Sequence, residues 1–550
     1  MRLNLRRLLK KATGTAKDRP EGLSQNTTST VGRPSGTGFQ ACQGLFQQPL
    51  RSLFAGWCLT ALACSFSAAL AGDLPLIQAV RNNDLESVRA LLNQHADVKV
   101  TQGDGSTALH WAAHVDNLPI ADLLIRSGAN VNAANEDGAT PLYLACSNRS
   151  APMVERMLGA GADAGAKLLN GETALMNCSR TGDAKAVKAL LTHGASVNAK
   201  ESSHNQTALM WAAAEGHSEV IQLLIEFGAD VRARSLIYTQ TVVNEQTQRA
   251  GREKLNYDVQ RGGSTPLLFA ARNGDAESAR LLLSAGADAN DHMPDGISAL
   301  VLAAHSGQGK VGALLLEKGA NPNSAEIGYT ALHAAVLRSD VDLVKALLAH
   351  GADPNIRMTK GTPLRRDTTD YNLPATLIGA TPYLLGAKFL EPEIMQVLAA
   401  GGADLKAAMP NGATALMLAV GLGSGPNQSR RGIARVDFGK IEPESRILEA
   451  VKMAVNLDAE VNSANQAGDT ALHTAAAQGR DTVVQFLVEH GAKLDIKNKR
   501  GQTPLMAAMT ANRGARAAAD ASGADLTGSP PPEITRSSTV ALLRKLGATE

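Results

Sequence analysis

One phrase, Ser106-Thr107-Ala108-Leu109-His110-Trp111-Ala112-Ala113, returns in altered form about every 33 residues to the end of the chain. Its anchoring threonines are Thr107, Thr140, Thr173, Thr207, Thr265, Thr330, Thr381, Thr414, Thr470 and Thr503, with Ser298 filling one place. A fixed period of this length marks a stacked array, in which one short unit cannot bury its own apolar face and the next must cover it. The functional question therefore concerns an extended surface before it concerns a pocket.

The chemistry of one unit is readable. The threonine predicts a helix N-cap whose hydroxyl accepts from a first-turn amide. Pro141, Pro266, Pro382 and Pro504 follow it, at the first helical position, where a missing N–H costs nothing. Alanine pairs such as Ala112-Ala113 and Ala475-Ala476 let a neighbouring helix come close. After a Gly-centred turn a second amphipathic helix begins, and it stops at Gly194, Gly228, Gly286, Gly319, Gly351 or Gly491. The Asp/Asn-rich stretch that follows, as in Asn130-Val131-Asn132, predicts a turn or short hairpin.

Thr-Ala/Pro-Leu-His, the alanine pair and Gly-Ala-Asp/Asn recur in register, and in these the chain resembles the ankyrin repeat from about residue 73 to 550. The resemblance implies an all-α solenoid of inner helix, outer helix and projecting β-hairpin finger, with about twelve helix pairs. The first pair, Asp73–Val100, has Leu74-Pro75-Leu76-Ile77 in place of the motif, as a capping end unit does. The resemblance also implies protein–protein recognition through finger tips and inner helices, without enzymatic activity, on a bacterial protein of secreted or membrane-anchored type.

The period fails where segments are inserted. Leu236–Gly263 and Arg357–Ile378 fall in fingers, and the alternation in Leu236-Ile237-Tyr238-Thr239-Gln240-Thr241-Val242-Val243 predicts a lengthened β-hairpin. Leu422–Arg446 and Ala511–Arg536 fall between inner and outer helices and contain Gly423-Ser424-Gly425-Pro426 and Ser529-Pro530-Pro531-Pro532, so loops are expected.

Residues 1–51 hold nine Lys/Arg against two acids, net +7; with +2 for the whole chain, the remainder is about −5. The basic stretch, 1–52, leads into nineteen uncharged residues, 53–71, ending Ala69-Leu70-Ala71 before Gly72. Positive flank, apolar core and small-x-small end predict a signal sequence cleaved near Ala71, giving a periplasmic or secreted protein. The alternative is an uncleaved inner-membrane anchor of about 19 residues, with the repeats still outside the cytoplasm. Cys146 and Cys178 lie in adjacent inner helices. With helices about 8–10 Å apart they are expected to be small buried residues without a bond between them.

No catalytic, cofactor-binding or metal constellation stands out. Ser306-Gly307-Gln308-Gly309-Lys310-Val311 only partly matches a phosphate loop, and its register makes it an inter-helix turn. His110, His333 and His473 share the third place after the anchor, so the repeat accounts for them. His193, His350 and His490 precede the helix-ending glycine, where a basic side chain complements the helix dipole. Trp111 and Trp211 share the fourth place, either packed on the next unit or presented to a partner.

The resemblance assigns partner contacts to the seventh and eighth positions after the anchor. These include His114, Arg180, Glu215, Arg272, Asn273, His305, Arg338 and Lys388. Four of the five formal charges in that set are positive, against the sign of the chain beyond its leader. The expectation is a monomeric scaffold binding an acidic protein segment on its concave face, with no nucleic acid and no cofactor. Two alternatives are an exported effector that binds host proteins and an enzyme with its site in the insertions.

Overall fold

In the computed structural model, residues 74–243, 256–362, 373–422, 443–510 and 537–549 are described. The leader 1–52, the apolar segment 53–71, most of the insertion 422–446 and all of 511–536 lie outside these residues. The repeats form one unit, Asp73–Glu550.

Among the described residues twelve helix pairs follow one another, here numbered units 1 to 12. The inner helices are Pro75–Arg81, Ala108–His114, Pro141–Ser147, Ala174–Thr181, Ala208–Glu215, Pro266–Asn273, Ala299–Ser306, Ala331–Arg338, Pro382–Lys388, Ala415–Val420, Ala471–Gln478 and 504–510. The outer helices are Leu85–Asn93, Leu118–Arg126, Ala151–Gly159, Ala184–Thr192, Ser218–Glu226, Ala276–Ser284, Gly309–Glu317, Val341–Ala349, Pro392–Ala400, Glu444–Asn456, Asp481–Glu489 and Ser537–Lys545. Inner helices pack on inner helices and outer on outer, unit by unit. The core is one continuous file of small and aliphatic residues, among them Ala112, Leu190, Ala213, Leu315 and Leu347, all fully buried.

The anchor works as its chemistry dictates. Thr107, Thr140, Thr173, Thr207 and Thr265 each accept from the amide three residues on. Leu74, in the capping unit, makes no such bond. The phosphate-loop look-alike is indeed a turn: Gly307 ends one helix at φ +76° and Gly309 begins the next.

The third-position histidines join units. His110 Nδ1 accepts from Thr107 N–H at 3.1 Å, which leaves Nε2–H to donate to Ala139 O of the next unit at 2.9 Å. His333 and His473 repeat the pattern with Ala380 O at 3.3 Å and Gln502 O at 3.0 Å. Both ring nitrogens are thus committed in the neutral form. Burial drives the His333 pKa down to about 4, and it lowers those of His110 and His473 too.

A second inter-unit clamp comes from asparagines. Asn132 donates to Gly161 O and accepts from Asp163 N–H, at 3.1 and 2.7 Å. Asn198, Asn290, Asn323, Asn355 and Asn462 do the same one unit on, each closing the glycine that follows the next outer helix. Six joints among the described residues carry this clamp, each on the glycine carbonyl just past the helix end. His193, His350 and His490 close the last turn of their own helices, each donating Nδ1–H at 2.8–2.9 Å to the carbonyl four residues back that its backbone N–H also meets.

The first finger insertion holds the hairpin that its alternation predicts. Tyr238–Val243 and Asn256–Arg261 pair antiparallel, Tyr238 opposite Arg261 and Val243 opposite Asn256. In 357–378 the chain closes on itself through Thr362 N–H to Leu373 O, 2.9 Å, then makes a short 3-10 turn, Ala375–Leu377. The helix Glu444–Asn456 has thirteen residues where other outer helices have nine, so it starts inside the stretch read as insertion.

The cysteines correct the reading above: Cys146 and Cys178 form a disulfide, S–S 2.12 Å, with Cα atoms 4.7 Å apart. Axis spacing is the wrong measure of reach. Cα atoms lie on a cylinder of radius about 2.3 Å, so facing Cα atoms approach about 4.6 Å closer than the axes.

Two outcomes follow from this packing. Replacing Leu190 or Leu315 by Ala lowers unfolding free energy by roughly 2–5 kcal/mol in denaturant titration; a neutral effect contradicts their place in the core. His333 has a folded pKa below its unfolded value, so the unfolded chain takes up the proton first. Its contribution is complete above about pH 6.5 and is lost as pH falls from there toward about 4, on the order of 3 kcal/mol. His333→Gln flattens that part of the stability–pH curve.

Candidate functional site

The seventh and eighth positions stand at the C-terminal end of each inner helix, beside carbonyls that lack helical partners. The structure divides them by what their side chains reach. Asn148 Nδ2 donates to Ala113 O and His114 O, at 2.8 and 2.6 Å. Thr181 Oγ1 donates to Cys146 O at 3.1 Å, and Gln478 Nε2 to Gly421 O at 2.9 Å. Arg338 donates to Ser306 O. Lys388 Nζ reaches forward to Leu422 O at 3.1 Å, and burial lowers its pKa to about 8. Arg338 and Lys388, both half-buried, therefore staple adjacent units as well as carrying charge.

His114, Arg180, Glu215, Arg272 and Asn273 are exposed. The Arg180 guanidinium lies 5.2 Å over the Trp211 ring and donates to Asn177 Oδ1 at 2.7 Å. Arg272 reaches the Met293 sulfur at 3.9 Å. His114 stands edge-on to Trp111, ring centres 5.5 Å apart, and half-buried His305 lies 6.1 Å from Tyr329. Both tryptophans are half-buried: Trp111 Nε1 donates to Gln102 Oε1 at 2.9 Å. Ser202 holds Gln102's place in the finger beside Trp211 and donates instead to Asn170 O. Among the described residues Trp211 Nε1 meets no acceptor.

Arg81 belongs to this set and was missed above. It lies 4.6 Å over the Trp111 ring. Unit 1 lacks the threonine anchor; counting seven from Leu74, which caps the first helix, finds it.

Among the described residues no group of three or more His, Cys, Asp or Glu could hold a metal. Tyr143 donates to Glu172 Oε1 at 2.6 Å, and burial, then the Glu172 charge, raises its pKa. An open cleft at Arg338, Ser339, Asp340, Asp342 and Glu393 carries charged groups, of which Asp340 caps a helix. The chemistry on offer is recognition: cations on aromatic faces, ranked along one side of stacked helices.

These features define a repeat protein that acts through its surface. Family models for ankyrin repeats match residues 76–168, 149–235, 267–358 and 444–526 (three-copy model) and 209–283 (many-copy model), more than half of the chain. The chain belongs to the ankyrin-repeat family, a family of protein-interaction scaffolds. It is 30% identical over 200 residues to human ankyrin repeat and SOCS box protein 16, covering 34% of this chain and 41% of that protein. It is 31% identical over 195 residues to the mouse B-cell lymphoma 3 protein homolog, covering 32% and 39%. Over 182 residues it is 30% identical to human neurogenic locus notch homolog protein 1, covering 33% and 6%. The chain thus spans less than half the length of these curated relatives. The human ASB11 ankyrin repeat domain is similar at TM-score 0.37 and 26% identity, over 45% of this chain and 99% of that one.

The two roles separate by mutation. Arg338→Ala leaves the Ser306 carbonyl without this donor and costs roughly 1.5–3 kcal/mol of stability. Arg180→Ala, on the surface, costs under about 1 kcal/mol. Equal losses in thermal or denaturant unfolding contradict the division.

Proposed function

We propose that this chain is a non-enzymatic scaffold of a bacterium, capturing an acidic segment of a partner protein on its concave, inner-helix face outside the cytoplasm. The observation that carries the binding reading is the rank of exposed seventh-position cations, Arg81, Arg180 and Arg272, on a chain that beyond its leader is about −5. A cationic strip favours acidic partners and disfavours a strip-to-strip contact between two copies. Nucleic acid fits poorly, because Glu215 interrupts the strip and the body is net acidic.

The Cys146–Cys178 bond supports the compartment, since buried disulfides persist where the environment is oxidising. The +7 leader followed by an apolar stretch supports it independently. Among the described residues no helix is long and apolar enough to cross a membrane; 53–71 lies outside them.

Two measurements test this. Envelope-fraction protein, unfolded with an alkylating agent present, labels neither Cys146 nor Cys178 until reduced, and begins at or near Gly72. Two labelled thiols, or activity of a fusion reporter only in the cytoplasm, overturn the location. Capture of the partner weakens as salt rises, since exposed charges are screened over about 10 Å at 0.1 M. Arg180→Glu with Arg272→Glu slows association more than it speeds dissociation. Lys188→Glu, exposed on an outer helix, leaves capture unchanged; equal loss in that control removes the concave face from the account.

A further inference from the structure

The cations of the strip do not share one role. Arg338 and Lys388 direct donors at backbone carbonyls of neighbouring units, Ser306 O and Leu422 O. Arg180 instead lies against an indole face and gives one donor to Asn177 Oδ1, which leaves its other edge donors for a carboxylate. The fourth-position rank beside these cations changes along the array. It holds half-buried Trp211 and Phe269 in units 5 and 6, and buried Ala334, Leu385 and Leu418 in units 8 to 10. Units 4 to 6 therefore present, in order, Arg180, Trp211 with Glu215, and Phe269 with Arg272. The Trp211 indole, with no acceptor for its N–H among the described residues, is held by stacking rather than by a hydrogen bond.

We infer that units 4 to 6 are the reading stretch of the concave face, and that they take an extended acidic segment bearing two carboxylates about five to six residues apart, with a basic residue between them. The inference rests on the scaffold reading proposed above. Its register comes from geometry. Arg180 and Arg272 stand two inner-helix steps apart, roughly 16–20 Å at about 8–10 Å per step. An extended segment advances about 3.3 Å per residue, so roughly five to six residues span the gap. Glu215, exposed in the step between them, repels a carboxylate at the midpoint and attracts a lysine or arginine there. The aromatic rings beneath give the stem of that central side chain an apolar surface.

The experiment uses the full chain and labelled 15-residue Gly/Ser peptides carrying two aspartates at separations of two to ten, with Lys, Ser or Asp midway. The tightest binding is expected at separations of five to six with central Lys. Arg180→Ala and Arg272→Ala each weaken that peptide about three- to tenfold and flatten the dependence on separation. Glu215→Lys reverses the central preference from Lys to Asp. Circular dichroism of each variant establishes that the helices are retained. Binding that is independent of separation, yet still lost with both arginines, overturns the register and leaves the concave-face reading standing. Binding unaffected by either arginine overturns both. No binding of any acidic peptide at millimolar concentration overturns the inference, and the reading itself falls only if partner capture also survives the double reversal.

Discussion

No helix pair in this chain can bury its own apolar face, and everything else in the structure is arranged around that deficit. Leu190, Leu315 and Leu347 are fully buried because a neighbouring pair lies over them. The cover is made close by small residues: Ala112, Ala213 and Ala335 stand fully buried on inner helices that pack directly on one another. Polar groups at the same contacts are then satisfied across the joint. The histidine bridges from Thr107, Thr330 and Thr470 and the asparagine ladder from Asn132 to Asn462 each tie one unit to its successor. Stability in such an array is close to a sum of nearest-neighbour terms, so a segment added at an edge disturbs little. The paired strands Tyr238–Val243 and Asn256–Arg261, and the Thr362 to Leu373 contact, leave the inner helices on either side in contact.

The same economy decides which side chains are left for recognition. The end of an inner helix needs donors, and in several units the seventh or eighth residue supplies them: Asn148, Thr181, Arg338, Gln478. Where another group meets that need, the residue turns outward. His217 closes the carbonyl of Arg180, and the Arg180 side chain lies across Trp211. A cation at this position is therefore a surface element only where its carbonyl neighbours have other partners. The Cys146–Cys178 bond joins unit 3 to unit 4, the unit that carries Arg180, and ties that end of units 4 to 6 covalently to its neighbour.

Much of the array was legible in the residues because its signals are local. Threonine caps, first-turn prolines, helix-ending glycines and the alternation at Leu236–Val243 each act within a few residues, and each element stands where they put it. The three histidines and the Gly307–Lys310 turn were rightly absorbed into the repeat. What escaped was geometry between units. The disulfide was excluded by comparing axis spacing with a Cα limit, and a reading from facing Cα atoms allows it. The asparagine clamp had a usable signal, Asn at the fourth place after the helix-ending glycine at Gly128, Gly194, Gly286, Gly319 and Gly351, but its acceptor lies a whole unit away. Arg81 was lost with the missing anchor of unit 1. The split between stapling and exposed cations depends on side-chain reach, which register alone does not carry.

The account turns on which face of the stacked helices a partner covers, and amide hydrogen exchange of the full chain, with and without the two-aspartate peptide, reads this directly. The account predicts added protection over Ala174–Thr181, Ala208–Glu215 and Pro266–Asn273, with the outer helices Ala184–Thr192, Ser218–Glu226 and Ala276–Ser284 unchanged. Protection confined to those outer helices, or spread evenly over both ranks, contradicts it.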